Sequence, residues 1–421
     1  MIKTLSDCLE LTIDRRGVTP KKLGSDWKKS GYKVLSANNI KTSGLQNMDE
    51  IRFVDEKTYK KWMKEEIRKG DIILTSEAPA GEVIYWDTDD KIVAGQRLYI
   101  LRTKNDINPL FLKYYLQSEK GQIEIKNKCS GSTVFGISAK TFDSIQIVLP
   151  ETKSQQDKIA DILYTIDKKI ENNKLIFDKI EKILKMIYDY WFIQYEFPNE
   201  NYKPYKASGG SLYWNKTLKR NIPINWNNAK LGDILELLKD GTHNPPKRIT
   251  SGIPLLTGTM FGRNFLNYKY ATYIKEEDYK KIHTNYTPQK DDIIMTKIGT
   301  LGNVNYLTTR DLPLAIHCNS ALLRFYSEYR GIYTLLFTKS DEFQSKLQSV
   351  KGKSIQEFVS LEKISNILIV NPDINIIKKF NSEYNSMLEL QKQLTEETEK
   401  LISLRDFILP FLMNGKVKFN S

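Results

Sequence analysis

Apolar positions along this chain fall into two patterns, and the pair of patterns occurs twice in the same order. Short β-rich runs (Asp71 to Leu74, Val83 to Trp86, Ile145 to Leu149) alternate with turns rich in Gly, Asn and Ser, which is the spacing of strands. Helical stretches near Pro109 to Gln117 and after Asp55 mix in, so residues 1–150 read as an α+β domain closed by Pro150. A different period then takes over. Ile159, Leu163, Ile166, Ile170, Asn173, Phe177, Ile180, Leu184, Ile187 and Trp191 recur in steps of four and three, the seam of a supercoiling helix. Thr152 or Ser154 is placed to cap it. About 33 residues at ~1.5 Å each predict a rod of roughly 50 Å.

Moving 221 residues on recovers both patterns. Gly31 answers to Gly252, Asp71-Ile72-Ile73 to Asp292-Ile293-Ile294, and Thr75 to Thr296. Gly81 pairs with Gly302, Val83 with Val304, Tyr85 with Tyr306 and Gly131 with Gly352. The seam reappears as Phe380, Tyr384, Met387, Gln391, Leu394, Thr398, Leu401, Arg405, Ile408 and Leu412. Nine of ten seam positions are apolar in the first helix and seven of ten in the second, enough to predict that both pair. Each helix follows its globule, so a short closed arrangement needs them antiparallel. The expected fold is α+β: two globular domains separated by two long helices that form an antiparallel coiled coil, a pseudo-twofold internal repeat. Boundaries are expected at 1–150, 151–196, 197–226, 227–372, 373–414 and 415–421, the third segment being a linker rich in Pro, Gly, Asn, Lys and Tyr. Asn414-Gly415 reads as the stop of the second helix. The polar seam residues Asn173 and Gln391 have two readings, tolerated defects or fixers of register.

Charge sharpens this picture. The net +13 is concentrated in two places: residues 1–150 carry 25 Lys/Arg against 20 Asp/Glu, and residues 201–370 carry 24 against 14. The helical segment 151–200 holds 8 against 10, and 371–421 holds 7 against 7. A merely basic protein would spread its charge over the helices too. Localised excess on both globules points to a polyanion, most simply nucleic acid. Cys8, Cys129 and Cys318 are scattered and odd in number, and the only histidines are His243, His283 and His317. A disulfide frame or a metal cluster is therefore not expected. No stretch approaches twenty unbroken apolar residues and no signal-peptide pattern opens the chain, so the expected location is the cytoplasm, with no membrane.

Catalytic motifs fail one by one. Asn244-Pro245-Pro246-Lys247 is like the adenine-methyltransferase loop but ends in Lys247, where an aromatic ring should stack on the base. Gly352-Lys353-Ser354 is like the end of a P-loop, yet Leu347 stands where the earlier glycine belongs. Acid-x-Lys triplets such as Asp89-Asp90-Lys91 arise by chance in a chain with 27% charged residues. What remains are loops suited to DNA. The first copy offers Arg15 to Trp27 and Ser36 to Gly44; the second offers Asp240 to Ile249 and Thr257 to Asn264. Pro20-Lys21-Lys22 answers Pro246-Lys247-Arg248 at a local offset of 226. Lysine and arginine neutralise phosphates, while amides, hydroxyls and guanidinium groups read base edges. The DNA-binding candidates are Lys21, Lys22, Asn38, Asn39 and Lys41 in the first copy, and Thr242, His243, Asn244, Lys247, Arg248, Thr257, Arg263 and Asn264 in the second.

Several joint sequences then resemble the specificity subunits of Type I restriction–modification enzymes. They are LPETKSQQDKIADILYTID from Leu149, IYDYWFIQYEFPNENYKPYKASGG from Ile187, IPINWNNAKLGDI from Ile222, and LPFLMNGKVKF near the C-terminus. The resemblance implies two target-recognition domains, at 1–150 and 227–372, and two helical spacers at 151–196 and 373–414. It implies a non-catalytic subunit that directs adenine methylation and restriction at a bipartite, asymmetric site in double-stranded DNA. Two methyltransferase subunits would dock on it, through the outer helix faces and the region from Tyr190 to Phe197, and motor–nuclease subunits would join for restriction. S-adenosylmethionine, ATP and Mg would then reside on those partners, with no cofactor in this chain. Two rivals are a DNA-binding coiled-coil regulator without an enzyme partner and a self-contained methyltransferase or nuclease. The first predicts a pull-down without methyltransferase, the second predicts methylation by the isolated chain.

Overall fold

The two Asp-Ile-Ile segments become the same strand of two matching antiparallel sheets. In one, the order is Leu9–Asp14, Leu98–Thr103, Ile72–Thr75, Val83–Tyr85; in the other, Leu235–Asp240, Ser320–Phe325, Ile293–Thr296, Val304–Tyr306. Every residue of Ile72–Thr75 and of Ile293–Thr296 is buried, which is why these runs are apolar without alternation. Registers match residue for residue. Ile72 lies opposite Leu101 and Tyr85, and Ile293 opposite Leu323 and Tyr306. Both edge strands even bulge at the same place, beside Arg102 and beside Arg324. Gly31 and Gly252 take φ of 129° and 143°, and a Cβ on either would meet a strand carbonyl (Val54 O or Ile274 O) at 2.4 Å. Only glycine fits there.

This computed structural model describes residues 1–130, 136–351 and 358–414. The pair Gly131/Gly352, the segment Gly352-Lys353-Ser354, Gly415 and the rest of the tail 415–421 lie outside the described residues. The chain divides into two compact units, Met1–Asn172 with Thr398–Ser421, and Asn173–Glu397. The division cuts both long helices, Lys153–Tyr188 and Ile374–Met413, in mid-course rather than at their ends. Its cause is packing: each unit owns a stretch of both helices as part of its core.

In unit 1, one face of the sheet buries Leu74, Tyr99, Phe111, Leu163 and Leu412 in a common core. The other face buries Ile73 and Ile100 with Tyr59, Trp62 and Val93, beneath a three-stranded sheet of Arg52–Val54, Tyr32–Leu35 and Ile92–Ala94. Local chemistry starts the helices as expected: Asp55 caps Glu56–Trp62, and Asn108 with Pro109 opens Pro109–Gln117. Thr152 takes the amide of Gln155 at the head of the first long helix. Asp167 is the joint. Its carboxylate accepts from Lys113 Nζ (2.7 Å), Tyr114 OH (2.7 Å) and Arg405 Nη1 (3.0 Å). Because Asp167 meets Arg405 while Ile159 and Leu163 share a core with Leu412 and Met413, the two helices are antiparallel here.

In unit 2 the same two helices are again antiparallel. Asn173 Nδ2 donates to Glu397 (2.8 Å), while Trp191 sits edge-on to Phe380 and Tyr384, at 5.2 and 5.9 Å between ring centroids. The helix does not stop at Tyr188 but widens into a π-turn, Asp189–Ile193, which swings Trp191 and Phe192 into the core. Asn173 and Gln391 are fully buried, and each has a dedicated partner: Glu397 for the first, Asn264 for the second (3.0 Å). The expected linker is folded. Phe197 stacks between Tyr205 and Trp226, at 4.6 and 5.2 Å, and Leu212–Asn215 pairs with Arg220–Pro223 as a hairpin. Its Pro/Gly composition reported turns correctly but hid the aromatic residues that pack them.

One polar device appears in both units, atom for atom. Arg102 donates through Nε and Nη2 to Asp71 (2.9 and 2.8 Å) and through Nη2 to the Glu66 carbonyl (2.9 Å), while the Arg68 amide donates to Asp71 (2.8 Å). Arg324 repeats this with Asp292 (2.8 and 2.8 Å) and the Thr287 carbonyl (2.7 Å), and the Gln289 amide donates to Asp292 (2.8 Å). Side chains of Asp292 and Arg324 are 1% and 7% exposed, so removing one partner strands a buried charge. Arg324→Leu is expected to cost about 3–5 kcal/mol in urea unfolding, with the double variant Asp292→Asn/Arg324→Leu recovering part of it. A single-variant cost below ~1 kcal/mol, the surface-pair range, would contradict this.

Candidate nucleic-acid interface

Where the sheets end, backbone hydrogen bonds stitch the loops together. In unit 1 the Gly95 amide donates to the Leu35 carbonyl (2.8 Å), and a Cβ at Gly95 would meet that carbonyl at 2.3 Å. The loop after Leu35 is thereby bound to the loop Gly95–Arg97. In unit 2 the Leu256 amide donates to Ala315 O (2.8 Å) and the Thr242 amide to Ile316 O (3.0 Å). Ala315 to Asn319 therefore anchors both loops singled out in the second copy.

Around this seam unit 1 opens a cleft of about 760 Å³. Its walls include Lys21, Asn38 and Asn39, so it gathers both loops expected to meet DNA. Among the lining residues that the sequence did not mark are Arg52, Trp62, Gln96 and Arg97. Arg97 has a left-handed φ of 65° and Ala78, also on the cleft wall, has 58°, strained backbone of the kind that concentrates at binding loops. Lys21 and Lys22 stand exposed on the short turn Lys21–Leu23, with Lys22 Nζ donating to Gly17 O (2.7 Å). Asn38 is exposed. Asn39 is 6% exposed and is a loop builder: its Oδ1 accepts from the Ser36 amide (3.0 Å) and its Nδ2 donates to the carbonyls of Gln46 and Asn47. Lys41 is tied to Glu82 (3.2 Å), which also takes the Thr42 amide (2.6 Å).

In unit 2, His243, Asn244, Lys247 and Arg248 are exposed on one loop. Thr242 braces its turn by accepting the Asn244 amide (3.2 Å), and His243 lies 3.5 Å from Asp240, which also holds Lys297 at 2.9 Å. His317 joins this group. Burial, together with the charges of Arg248 and His243, holds its pKa below the usual histidine value. Thr257 is half-buried, its hydroxyl 2.9 Å from that of Thr259. Arg263 and Asn264 are corrected by the structure. Arg263 lies over the Phe177 ring (4.7 Å) and pairs with Asp178 and Glu181, while Asn264 is 4% exposed and bonded to Gln391 and Lys339. Both are spent on docking the loop against the long helices. A polar residue in a loop has two possible customers, solvent-side ligand or neighbouring helix, and linear sequence does not distinguish them.

The loops missed by sequence reasoning, Gly95 to Arg97 and His317 to Asn319, stand 222 residues apart and occupy matching places after the parallel pairings Val34–Val93 and Leu255–Ala315. Their residues share no identity, so only the register reveals them. Among the described residues no group of three or more His, Cys, Asp or Glu is placed to hold a metal ion, and no helix is long and apolar enough to cross a membrane.

Comparison with known proteins agrees with this geometry. Residues 1–182 match the profile of the Type I restriction modification DNA specificity domain. Those residues span the first sheet, its loops and most of the first long helix; the second copy repeats the same sheet in the same register. The Type I restriction enzyme MjaIX specificity subunit of Methanocaldococcus jannaschii is 26% identical over 392 residues, covering 87% of this chain and 82% of that protein. The HindI specificity subunit of Haemophilus influenzae is 20% identical over 420 residues, covering 84% and 88% respectively. In fold, the S subunit of a Type I restriction-modification system from M. genitalium superposes with a TM-score of 0.62 at 18% identity, covering 100% of this chain and 96% of that one. Over residues 1–182 the chain carries the pattern of a Type I restriction modification DNA specificity domain, and along most of its length it is similar to specificity subunits of Type I restriction enzymes.

His283 holds the seam of unit 2 from behind. Its Nδ1 lies 3.1 Å from Tyr286 O and its Nε2 accepts the Ile316 amide at 3.3 Å. Both bonds coexist only in the neutral ring with its proton on Nδ1. Burial keeps the His283 pKa below its ordinary value, so the contribution is complete above pH ~6.5 and is lost as pH falls through the lowered folded value. Hydrogen exchange at the Ile316 and Thr242 amides, corrected for intrinsic rate, is expected to rise between pH 7 and 5 in the native chain. In His283→Gln that pH dependence should vanish. Protection that is constant over this range in the native chain would refute the role.

Proposed function

We propose that each unit reads one half of a bipartite DNA site and that the two long helices set the gap between the halves. The observation that carries this reading is one scaffold, identical in strand order, register and bulge, beneath two loop sets of different sequence. Equal scaffolds present their loops alike, whereas unlike loops select unlike bases, so the two halves differ and the whole site is asymmetric. Both helices pass through both units, so their length is the natural ruler. By residue count the helical seam is roughly 50 Å long, more than one DNA turn of ~34 Å, so half-sites about a turn apart are expected.

In this reading the chain contributes recognition and no bond-making. Methyl transfer to adenine and ATP-driven cleavage belong to partner subunits, two methyltransferases and the motor–nucleases, which carry S-adenosylmethionine, ATP and Mg; the setting is cytoplasmic. Docking is supported by the apolar side chains Ile183, Met186, Tyr190 and Ile193, each at least 40% exposed along the first helix. Trp191, Phe192, Tyr195 and Phe197 are buried in unit 2, so the expected docking region narrows to those outward residues. Inserting one helical turn into both helices, beside Asn173 and Glu397, and mapping adenine methylation in cells carrying the whole system tests the ruler. Both half-motifs should persist with an altered gap; an unchanged gap, or altered half-motifs, would overturn it.

A further inference from the structure

We infer that Arg52 is a specificity-determining residue of unit 1, presenting its guanidinium edge to a guanine in that unit's half of the DNA site. This deepens the reading of unit 1 as a DNA-sequence reader and rests on it. Arg52 opens the strand Arg52–Val54, opposite Val34 in the three-stranded sheet, and its side chain lines the 760 Å³ cleft. Its guanidinium carbon stacks 4.4 Å above the Trp27 ring. Trp27 in turn leans on Trp62, at 6.4 Å between centroids, and Trp62 is 2% exposed. The arginine therefore rests on an aromatic wall anchored in the core.

Stacking uses one face of a guanidinium and leaves its in-plane N–H fork free. Two arginines line the cleft. Arg97 is placed 3.6 Å from Glu77, whereas Arg52, though exposed, forms no ion pair with Glu50 or any other carboxylate among the described residues. Elsewhere in unit 1, Arg16 is held by Asp14 over the Tyr99 ring and Arg102 by Asp71. Arg52 alone in the cleft combines a fixed plane with an unspent donor edge. That fork matches guanine O6 and N7, the commonest specific arginine contact to DNA, and a planar group already held in place loses little freedom on binding.

The duplicate scaffold strengthens the assignment. Val34 corresponds to Leu255, and Leu255 pairs with Thr272 where Val34 pairs with Arg52. Unit 2 thus carries a short hydroxyl at the position where unit 1 carries the fork. The two halves of the site are expected to differ there.

The test uses the full-length chain, with its partner subunits if they are needed for tight binding, and a set of duplexes in which each base pair of the methylation-mapped site is exchanged in turn. Fluorescence anisotropy is read for the native protein, Arg52→Lys, which keeps the charge and loses the fork, and Arg52→Ala. Both variants should lose about 5- to 150-fold of discrimination for guanine at one position. Discrimination at the other positions, and throughout the other half, should be retained, which also certifies folding. A uniform drop in affinity with unchanged discrimination would make Arg52 a phosphate or structural contact and overturn the inference alone. A native chain that binds every duplex equally would instead overturn the sequence-reading role itself.

Discussion

The sheet of each unit depends on a buried carboxylate–guanidinium pair. Asp71 with Arg102, and Asp292 with Arg324, lock the turn before the central strand to the strand beside it. The carboxylate also caps a backbone amide and the guanidinium also takes a carbonyl, so the pair satisfies four groups in one place. In a low-dielectric setting such a pair is useful only when complete; half of it is worse than an apolar substitute. That all-or-nothing character makes it a register lock. A one-residue slip of the strand would reverse which side chains face each core, and it would also leave an ion without its counterion. With register fixed, the ends of the strands are fixed, and with them the roots of the loops.

The helices answer a second demand, a common backbone for two separately cored units. Their seam is apolar where it meets a globule, and charged groups are used at the points of attachment. In unit 1 Asp167 gathers Lys113, Tyr114 and Arg405; in unit 2 Glu181 gathers Lys339 and Arg263. Burial pushes the Lys113 and Lys339 pKa values down, opposed by Asp167 and Glu181 respectively. The attachment thus combines an apolar seam with paired charges, and Ile183, Met186, Tyr190 and Ile193 remain exposed.

Much of this is legible in the sequence alone. The 221-residue offset located both sheets through Asp71/Asp292 and Thr75/Thr296, and Gly31/Gly252 mark a place where a carbonyl excludes any side chain. The heptads located both helices to within a few residues. Less was legible at the interface. Lys21, Asn38, His243, Asn244, Lys247 and Arg248 do stand exposed on the loops that converge, but Asn39 builds its loop, and Arg263 and Asn264 face the helices. Arg52 and the two loops at Gly95–Arg97 and His317–Asn319 left no mark at all. Core positions repeat because packing constrains them in both copies, whereas the loop residues are free to diverge, so repetition detects the scaffold and is blind to what the scaffold presents. The folded state of 197–226 escaped for a related reason: turn residues announce themselves locally, while Phe197, Tyr205 and Trp226 find one another only in three dimensions.

The proposal that two copies of one scaffold read two different short sequences can be tested on the whole chain. Selection of bound duplexes from a random library by the intact protein, followed by sequencing, addresses it most directly. Two unlike blocks of preferred bases separated by a constant run without preference are predicted. A single uninterrupted block, or a perfect palindrome, would contradict the claim.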